Sequence, residues 1–408
     1  MTTRGAFHQQ ITVASALSSP PMALHPSRRD FLAIAAFFDP LVRGAAAFCD
    51  TIGPAVSDRA WIGYTRATII DCLASPGPFN TPASTGAPLS DEMVANAAAS
   101  GITAVNITVS GGGMGHAAFD DTIREIAYWE REIVVHPATF VKVRAVADIA
   151  EAKRTNRLGL IFGFQDAAML EGDVSRVDLF HRLGVKIIQL TYNVRNLLGD
   201  GCLEPADAGL SRHGRDVIAR MNELGMLVDL SHCGTHTTDD GIAASNGPVA
   251  ITHSGCKAVF DHPRSKNDAT LKRLADKGGV IGIYMMPFIN PAGQPTGDDL
   301  IRQIEHAVNI CGENHVGIGS DLSITPHRAT PEYERLHRQF VAERKRQGIA
   351  APREEDYMFV TDMNSPRRLE MIANRLLARG HSEARVEKVV GGNWLRLFGE
   401  VWKTGPPA

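Results

Sequence analysis

The chain has 408 residues, 42 Lys and Arg against 45 Asp and Glu for a net charge of -3, and 44% hydrophobic side chains. That length holds one large barrel domain with extensions or two smaller domains, with apolar residues enough for a substantial core. The near-neutral charge, without a long basic run, excludes an electrostatic case for nucleic acid. No run reaches the roughly 18 apolar residues of a membrane span, and six scattered cysteines without a CxxC pair exclude a zinc ribbon or a disulfide scaffold.

The first sixty residues stand apart. Pro26-Ser27-Arg28-Arg29-Asp30-Phe31-Leu32 and the alanine-rich text after it read as a twin-arginine export signal, with Ala45-Ala46-Ala47 as a cleavage region and a periplasmic destination. Asp39, Pro40 and Arg43 interrupt the apolar segment, so an amphipathic N-terminal helix on a cytoplasmic protein is the competing reading. Either way residues 1–60 are an extension, and residues 66–402 form a single domain.

From residue 68 onward, short runs rich in β-branched residues alternate with segments of helical spacing. The runs are 68–71, 104–109, 158–162, 186–190, 227–230, 249–252, 280–284 and 316–319. Leu224-Gly225 and Lys277-Gly278-Gly279 are helix ends that lead straight into strands. Eight β-α alternations predict an α/β fold, a closed (β/α)8 barrel of the TIM type. A doubly wound open sheet would place a glycine-rich phosphate loop after its first strand, and Asp71-Cys72-Leu73-Ala74-Ser75-Pro76 is not one. Two stretches interrupt the alternation. Residues 111–148 are expected to be helical, and residues 323–357 to form a solvated helix after the eighth strand. Insertions after strands lie on the face where such barrels carry their chemistry. The tail, 391–398, is apolar enough to pack on the barrel wall.

Three runs end in reactive side chains. His232 closes Leu227-Val228-Asp229-Leu230-Ser231, His253 closes Val249-Ala250-Ile251-Thr252, and Asp321 closes Val316-Gly317-Ile318-Gly319-Ser320. Neighbouring strands lie roughly 5 Å apart, so two imidazoles at adjacent strand ends can reach one metal ion. A carboxylate at Asp321 suits proton transfer from a metal-bound water, or else it is a helix cap or loop turn. Arg264, after the sixth run, suits a substrate carboxylate or a structural ion pair. Cys202, Cys233 and Cys256 flank these residues as small core or loop thiols.

In these surroundings the chain resembles the renal (membrane) dipeptidase family, peptidase M19. The resemblance runs in order through Leu190-Thr191-Tyr192-Asn193, 221–232, Ile251-Thr252-His253-Ser254, Asp261-His262-Pro263-Arg264, 317–321 and Gly391-Gly392-Asn393-Trp394, and covers roughly 66–402. It implies a barrel hydrolase with two zinc ions and a bridging water that cleaves dipeptides or related small amides, often as a homodimer. It implies that His232 and His253 bind one zinc, Asp321 handles protons and Arg264 holds the substrate carboxylate, with Tyr192 and Asn193 beside it. The departures fall on the metal site. The family's first strand ends Asp-Gly-His-x-Asp, where this chain has Leu73 and Ser75 in place of the His and the second Asp. Gln165 stands at the bridging glutamate, and Tyr192 at a histidine that helps hold the scissile group. What survives admits one zinc at most. Its third ligand would be Asp166, if the strand register slips by one, with Cys72 and Asp71 as weaker candidates. The resulting expectation is a dipeptidase-like metallohydrolase with an altered site. The alternatives are a related barrel enzyme with a non-dipeptide substrate, in which the Tyr192 phenol serves a developing oxyanion, or a non-catalytic binding homologue.

Overall fold

The computed structural model describes residues 61–79, 87–110 and 117–402. The N-terminal extension with its arginine pair lies outside the described residues. Eight parallel strands form the centre: β1 (Ile70–Asp71), β2 (Ala104–Thr108), β3 (Leu158–Phe164), β4 (Val185–Gln189), β5 (Leu227–Asp229), β6 (Ala250–Ser254), β7 (Val280–Ile283) and β8 (Val316–Ile318). Each pairs with the next, and β8 returns to β1 through Ile318 and Asp71, so the sheet closes into a (β/α)8 barrel. Every strand falls on one of the eight apolar runs.

The stretch 111–148 contains the expected helix, Ala117–Val135, and also an unexpected strand, Phe140–Val143. The reason is an open edge. β4 pairs with β3 only from Phe162 onward, and Phe140–Val143 covers the edge of Leu158–Ile161 that β4 leaves bare.

Local signals set the helix ends. The helix Arg212–Leu224 starts at Ser211, whose side chain accepts from the Gly214 N–H, and ends on Gly225 at φ 67°, a left-handed conformation that favours glycine. Met226 follows at once, and then β5. Among the described residues no helix is long and apolar enough to cross a membrane.

Apolar residues fill two layers. Outward-facing Val105, Leu160, Ile188, Val228 and Ile251 pack against the helices through residues such as Phe180, Val217, Leu271 and Ile304. A second cluster gathers Ile70, Ala104, Ile161, Ile187, Leu227, Ala250 and Val280 with Trp394, Leu397, Phe398 and Trp402 of the tail. The tail therefore belongs to the core itself. The Trp394 indole N–H donates to the Ile318 carbonyl at 3.0 Å, and a Cβ on Gly317 would lie 2.3 Å from the indole nitrogen. Truncating Trp394 to alanine is expected to cost about 3–5 kcal/mol.

Past the ends of β1 and β8 the chain forms a small clasp. Ala74–Ser75 pairs in parallel with Leu322–Ser323, and Ile324 N–H donates to the Ser75 carbonyl at 2.8 Å.

Candidate active site

The polar strand-end residues meet at the C-terminal mouth of the barrel, where this fold places its chemistry. A pocket with an empty volume of about 300 Å³ is lined by Tyr192, Asn193, His232, Arg264 and Asp321, together with Met286, Phe288, Phe340, Arg344, Ala351, Glu354 and Met358. Four residues expected from the sequence, His232, Arg264, Asp321 and Tyr192, thus share one lining, with Asn193 beside them.

His232 and His253 are both buried, and their Nε2 atoms lie 2.9 Å apart. The far side of each ring is anchored. His232 Nδ1 faces Asn193 Oδ1 at 2.6 Å, and the Asn193 amide donates through Nδ2 to the Ile349 carbonyl at 2.7 Å, which turns its oxygen towards the ring. His232 Nδ1 therefore carries the proton. His253 Nδ1 faces the Thr252 hydroxyl at 2.8 Å, and Thr252 donates to Asp229 Oδ2 at 2.6 Å. Asp229 also accepts from the Thr252 and Ser231 amides and from the Ser231 hydroxyl, so these donors oppose the burial that pushes its carboxyl up. Thr252 has thus spent its proton on Asp229 and accepts one from His253 Nδ1–H. Both rings turn a bare Nε2 towards the same point, with an amide or a hydroxyl–carboxylate relay behind, the orientation that outer partners impose on metal-ligating imidazoles.

Electrostatics keeps both rings neutral. Burial holds His232 well below the ordinary imidazole value, and Arg264, His253, Arg344 and Lys266 add to it. Burial, Arg264 and Lys266 do the same to His253. The pairing of β6 with β7 is irregular between Ile251 and Ser254. The irregularity falls where strict alternation would send Thr252 and His253 to opposite faces.

Tyr192 stacks on His232 with ring centroids 4.2 Å apart, and the Arg344 guanidinium lies 5.3 Å from the Tyr192 ring centre. Burial raises the phenol above its ordinary value, so it remains protonated. Asp321 sits in the left-handed region at φ 63°, uncommon for a non-glycine residue, with its N–H donating to the Leu73 carbonyl at 2.7 Å. Arg264 is 2% exposed. One of its terminal nitrogens donates to the His253 carbonyl at 3.3 Å, and its Nε has no partner among the described residues.

Gln165 and Asp166 do not line this pocket. The pairing of β3 with β4 does shift register, between Phe162 and Gly163, yet the Asp166 carboxylate accepts from Asn196 Nδ2 at 2.9 Å and from the amides of Ala167, Ala168 and Tyr192. Gln165 offers its backbone carbonyl to Gln189. Asp71 accepts from the Ser320 hydroxyl and amide at 2.6 and 2.7 Å and lies 3.6 Å from Arg368. Cys72 and Leu73 are buried, and Ser75 accepts from the Gly77 N–H at 3.1 Å. Among the described residues no three His, Cys, Asp or Glu side chains gather to hold a metal ion.

The insertion after β8 covers the mouth. Its helix, Pro331–Arg346, is solvated along one side as expected, but Arg344 turns inward and forms a bidentate pair with Glu354, at 2.6 and 2.7 Å. His262 Nε2 lies 3.0 Å from the Pro352 carbonyl and stacks on Phe288. Arg353, at φ 69°, bonds Asn290 and Gly293. Sequence reasoning missed Arg344, Glu354 and the Thr252–Asp229 relay. The relay left one signal, an Asp and a Thr each within three residues of a strand-end histidine.

The family model described as membrane dipeptidase, peptidase family M19, matches residues 89–343. The chain is 28% identical over 290 residues to the dipeptidase tcpJ of Claviceps purpurea, covering 70% of this chain and 61% of that protein. It spans 61%, 52% and 59% of the length of three curated relatives it matches. Among solved structures, an amidohydrolase from Pseudomonas aeruginosa is 32% identical, with 83% of this chain and 98% of that one covered and a TM-score of 0.70. A Rhodobacter sphaeroides metallopeptidase, solved with a phosphinate mimic of L-Ala-D-Ala, shares the fold at 17% identity, 82% and 99% coverage and a TM-score of 0.65. The chain belongs to the membrane dipeptidase family, peptidase family M19.

Proposed function

We propose that the chain hydrolyses the amide bond of a dipeptide or a related small amide carrying a carboxylate, with at most one metal ion held by His232 and His253. The observation that carries this reading is the meeting of two bare Nε2 atoms, 2.9 Å apart, one of them on His232, which lines the pocket with Asp321 and Arg264 while His253 lies buried behind it. Nitrogens on one tetrahedral zinc stand about 3.3 Å apart, so the pair fits one ion after opening by a few tenths of an ångström.

Two ions do not fit these residues. Leu73 has no donor atom, Ser75 is engaged with Gly77, and Gln165 offers at best a neutral amide. Without a bridging carboxylate nothing offsets the repulsion between two dications. Asp166 is committed to Asn196 and to the backbone, which leaves the two imidazoles as the donors among the described residues.

A zinc-like ion bound there supplies a water of lowered pKa. The chain's own residues do the rest. Arg264 takes the substrate carboxylate and fixes its register. Asp321 accepts the proton of the attacking water and returns one to the departing nitrogen. The Tyr192 phenol, protonated at neutral pH, donates to the acyl oxygen as charge develops on it. The insertion, through Arg344, Glu354 and Phe340, excludes bulk water.

The test is hydrolysis of a panel of dipeptides and small N-acyl amino acids by the full chain with zinc added. Turnover that disappears in both His232→Ala and His253→Ala is expected. No turnover of any member, or turnover that survives both substitutions, counts decisively against the proposal.

A further inference from the structure

Two cations, Arg264 and Arg344, and two carboxylates, Asp321 and Glu354, line the pocket, with Lys266 close by. Arg264 lines it, nearly fully buried, with no ion pair among the described residues. Lys266, 4% exposed, lies two residues on and gives its ammonium to the Cys233 carbonyl at 2.6 Å and the Thr238 hydroxyl at 3.0 Å, neither of which is charged. Both Glu354 oxygens go to Arg344, and one also accepts the Ala351 N–H.

The other acids near the strand ends are committed elsewhere: Asp71 to Ser320 and Arg368, Asp166 to Asn196, Asp200 to Arg195, and Asp229 to Ser231 and Thr252. Residues 80–86 and 111–116 contain no Asp or Glu in their sequence. Of the two carboxylates that line the pocket, Glu354 is held by Arg344, and amide hydrolysis requires Asp321 for the proton. A bound cation would add positive charge to the same space. The rest of the lining is mixed: the neutral polar Tyr192, Asn193 and His232, and the apolar Met286, Phe288, Phe340, Ala351 and Met358. A buried ammonium without its own counter-charge is disfavoured, whereas an apolar acyl group suits the apolar wall.

We propose that the preferred substrate is an N-acyl amino acid with a small apolar acyl group, rather than a dipeptide with a free amino terminus. This rests on the amide-hydrolase reading above. The carboxylate of the amino-acid half goes to Arg264, and the acyl group meets Phe288, Phe340 and the two methionines. In the reaction the oxygen of one water bonds to the acyl carbon, the C–N bond breaks, and a water proton ends on the nitrogen. A free carboxylic acid and a free amino acid leave, and no oxidant or reductant is consumed.

A matched pair tests it: alanyl-leucine and propionyl-leucine, which differ only in the ammonium group. With the full chain and added zinc, kcat/KM is expected to be at least about tenfold higher for propionyl-leucine, equivalent to a single decade in binding. Equal values, or a preference for alanyl-leucine, overturn the proposal and leave the amide-hydrolase reading standing. Calorimetric binding to His232→Ala, which retains Arg264 and the apolar wall, separates the two claims. Binding of propionyl-leucine at least about tenfold tighter than alanyl-leucine supports the ligand class even if the wild-type chain cleaves neither. Equal affinity, or no binding of either, overturns it.

Discussion

His232 Nε2 and His253 Nε2 face each other at 2.9 Å, and both rings are turned that way by acceptors behind them, the Asn193 amide oxygen for one and the Thr252 hydroxyl on Asp229 for the other. Two lone pairs directed at one point repel each other unless a cation or a proton lies between. This relation makes the outer partners testable.

Asn193→Ala removes the acceptor that fixes the His232 tautomer and leaves both imidazoles in place. Zinc affinity is expected to fall about tenfold to a hundredfold, the usual cost of losing an outer-shell partner. Competition with a chromophoric chelator measures it, and an unchanged affinity would show that the amide does not orient the ring.

Asp321→Asn separates chemistry from backbone strain. Asparagine tolerates φ 63° as aspartate does, so folding should be preserved. The amide cannot accept a proton, and kcat is expected to fall by about 10²- to 10⁴-fold with little change in KM. Steady-state kinetics beside a thermal melt distinguish this from misfolding.

Glu354→Gln leaves the Arg344 guanidinium buried without its carboxylate. Their side chains are 4% and 11% exposed, so the pair belongs to the buried class. Breaking such a pair costs about 3–5 kcal/mol where the segment stays packed. The insertion is expected to loosen first, read as faster hydrogen exchange at 344–354 than in the barrel strands. Glu332→Gln, which removes an exposed pair with Arg335, should leave exchange unchanged.

Stability should fall in acid. Burial pushes His262 and His327 each down to about 4. Their unfolded value is near 6.5, so between about pH 4 and 6.5 the unfolded chain binds more protons and stability rises with pH. The contribution is complete above about 6.5 and is lost as pH falls through that window, at up to about 1.4 kcal/mol per unit for each histidine. His262 accepts the Arg264 N–H at Nδ1 and donates from Nε2 to the Pro352 carbonyl, so protonation at Nδ1 breaks the Arg264 contact and keeps the bond to the insertion. Denaturant melts at pH 7, 5.5 and 4.5 measure the slope. A flat profile contradicts the burial of neutral rings.

The barrel was legible because each strand is a short β-branched run bounded by a turn or a helix end, and that pattern requires no long-range information. Phe140–Val143 was not, since it answers an edge that exists only once β3 and β4 pair out of step. At the site, His232, Arg264, Asp321, Tyr192 and Asn193 were readable as strand-end text, and the fold brings them into one lining. Arg344 and Glu354 were hidden in a highly charged segment where most charges are solvated, as Arg335 and Arg346 are. Nothing in a ten-residue spacing shows that one pair of them turns inward. The third metal ligand could not be read because it depends on where Gln165 and Asp166 point after an irregular strand end. Asp166 points to Asn196.

The most direct measurement is metal per chain. The full chain is loaded with excess zinc, dialysed against metal-free buffer and analysed by elemental mass spectrometry, beside His232→Ala and His253→Ala. The account predicts no more than one zinc per wild-type chain and none in either variant. Two tightly held zinc ions per chain, or one that both variants retain, would contradict it.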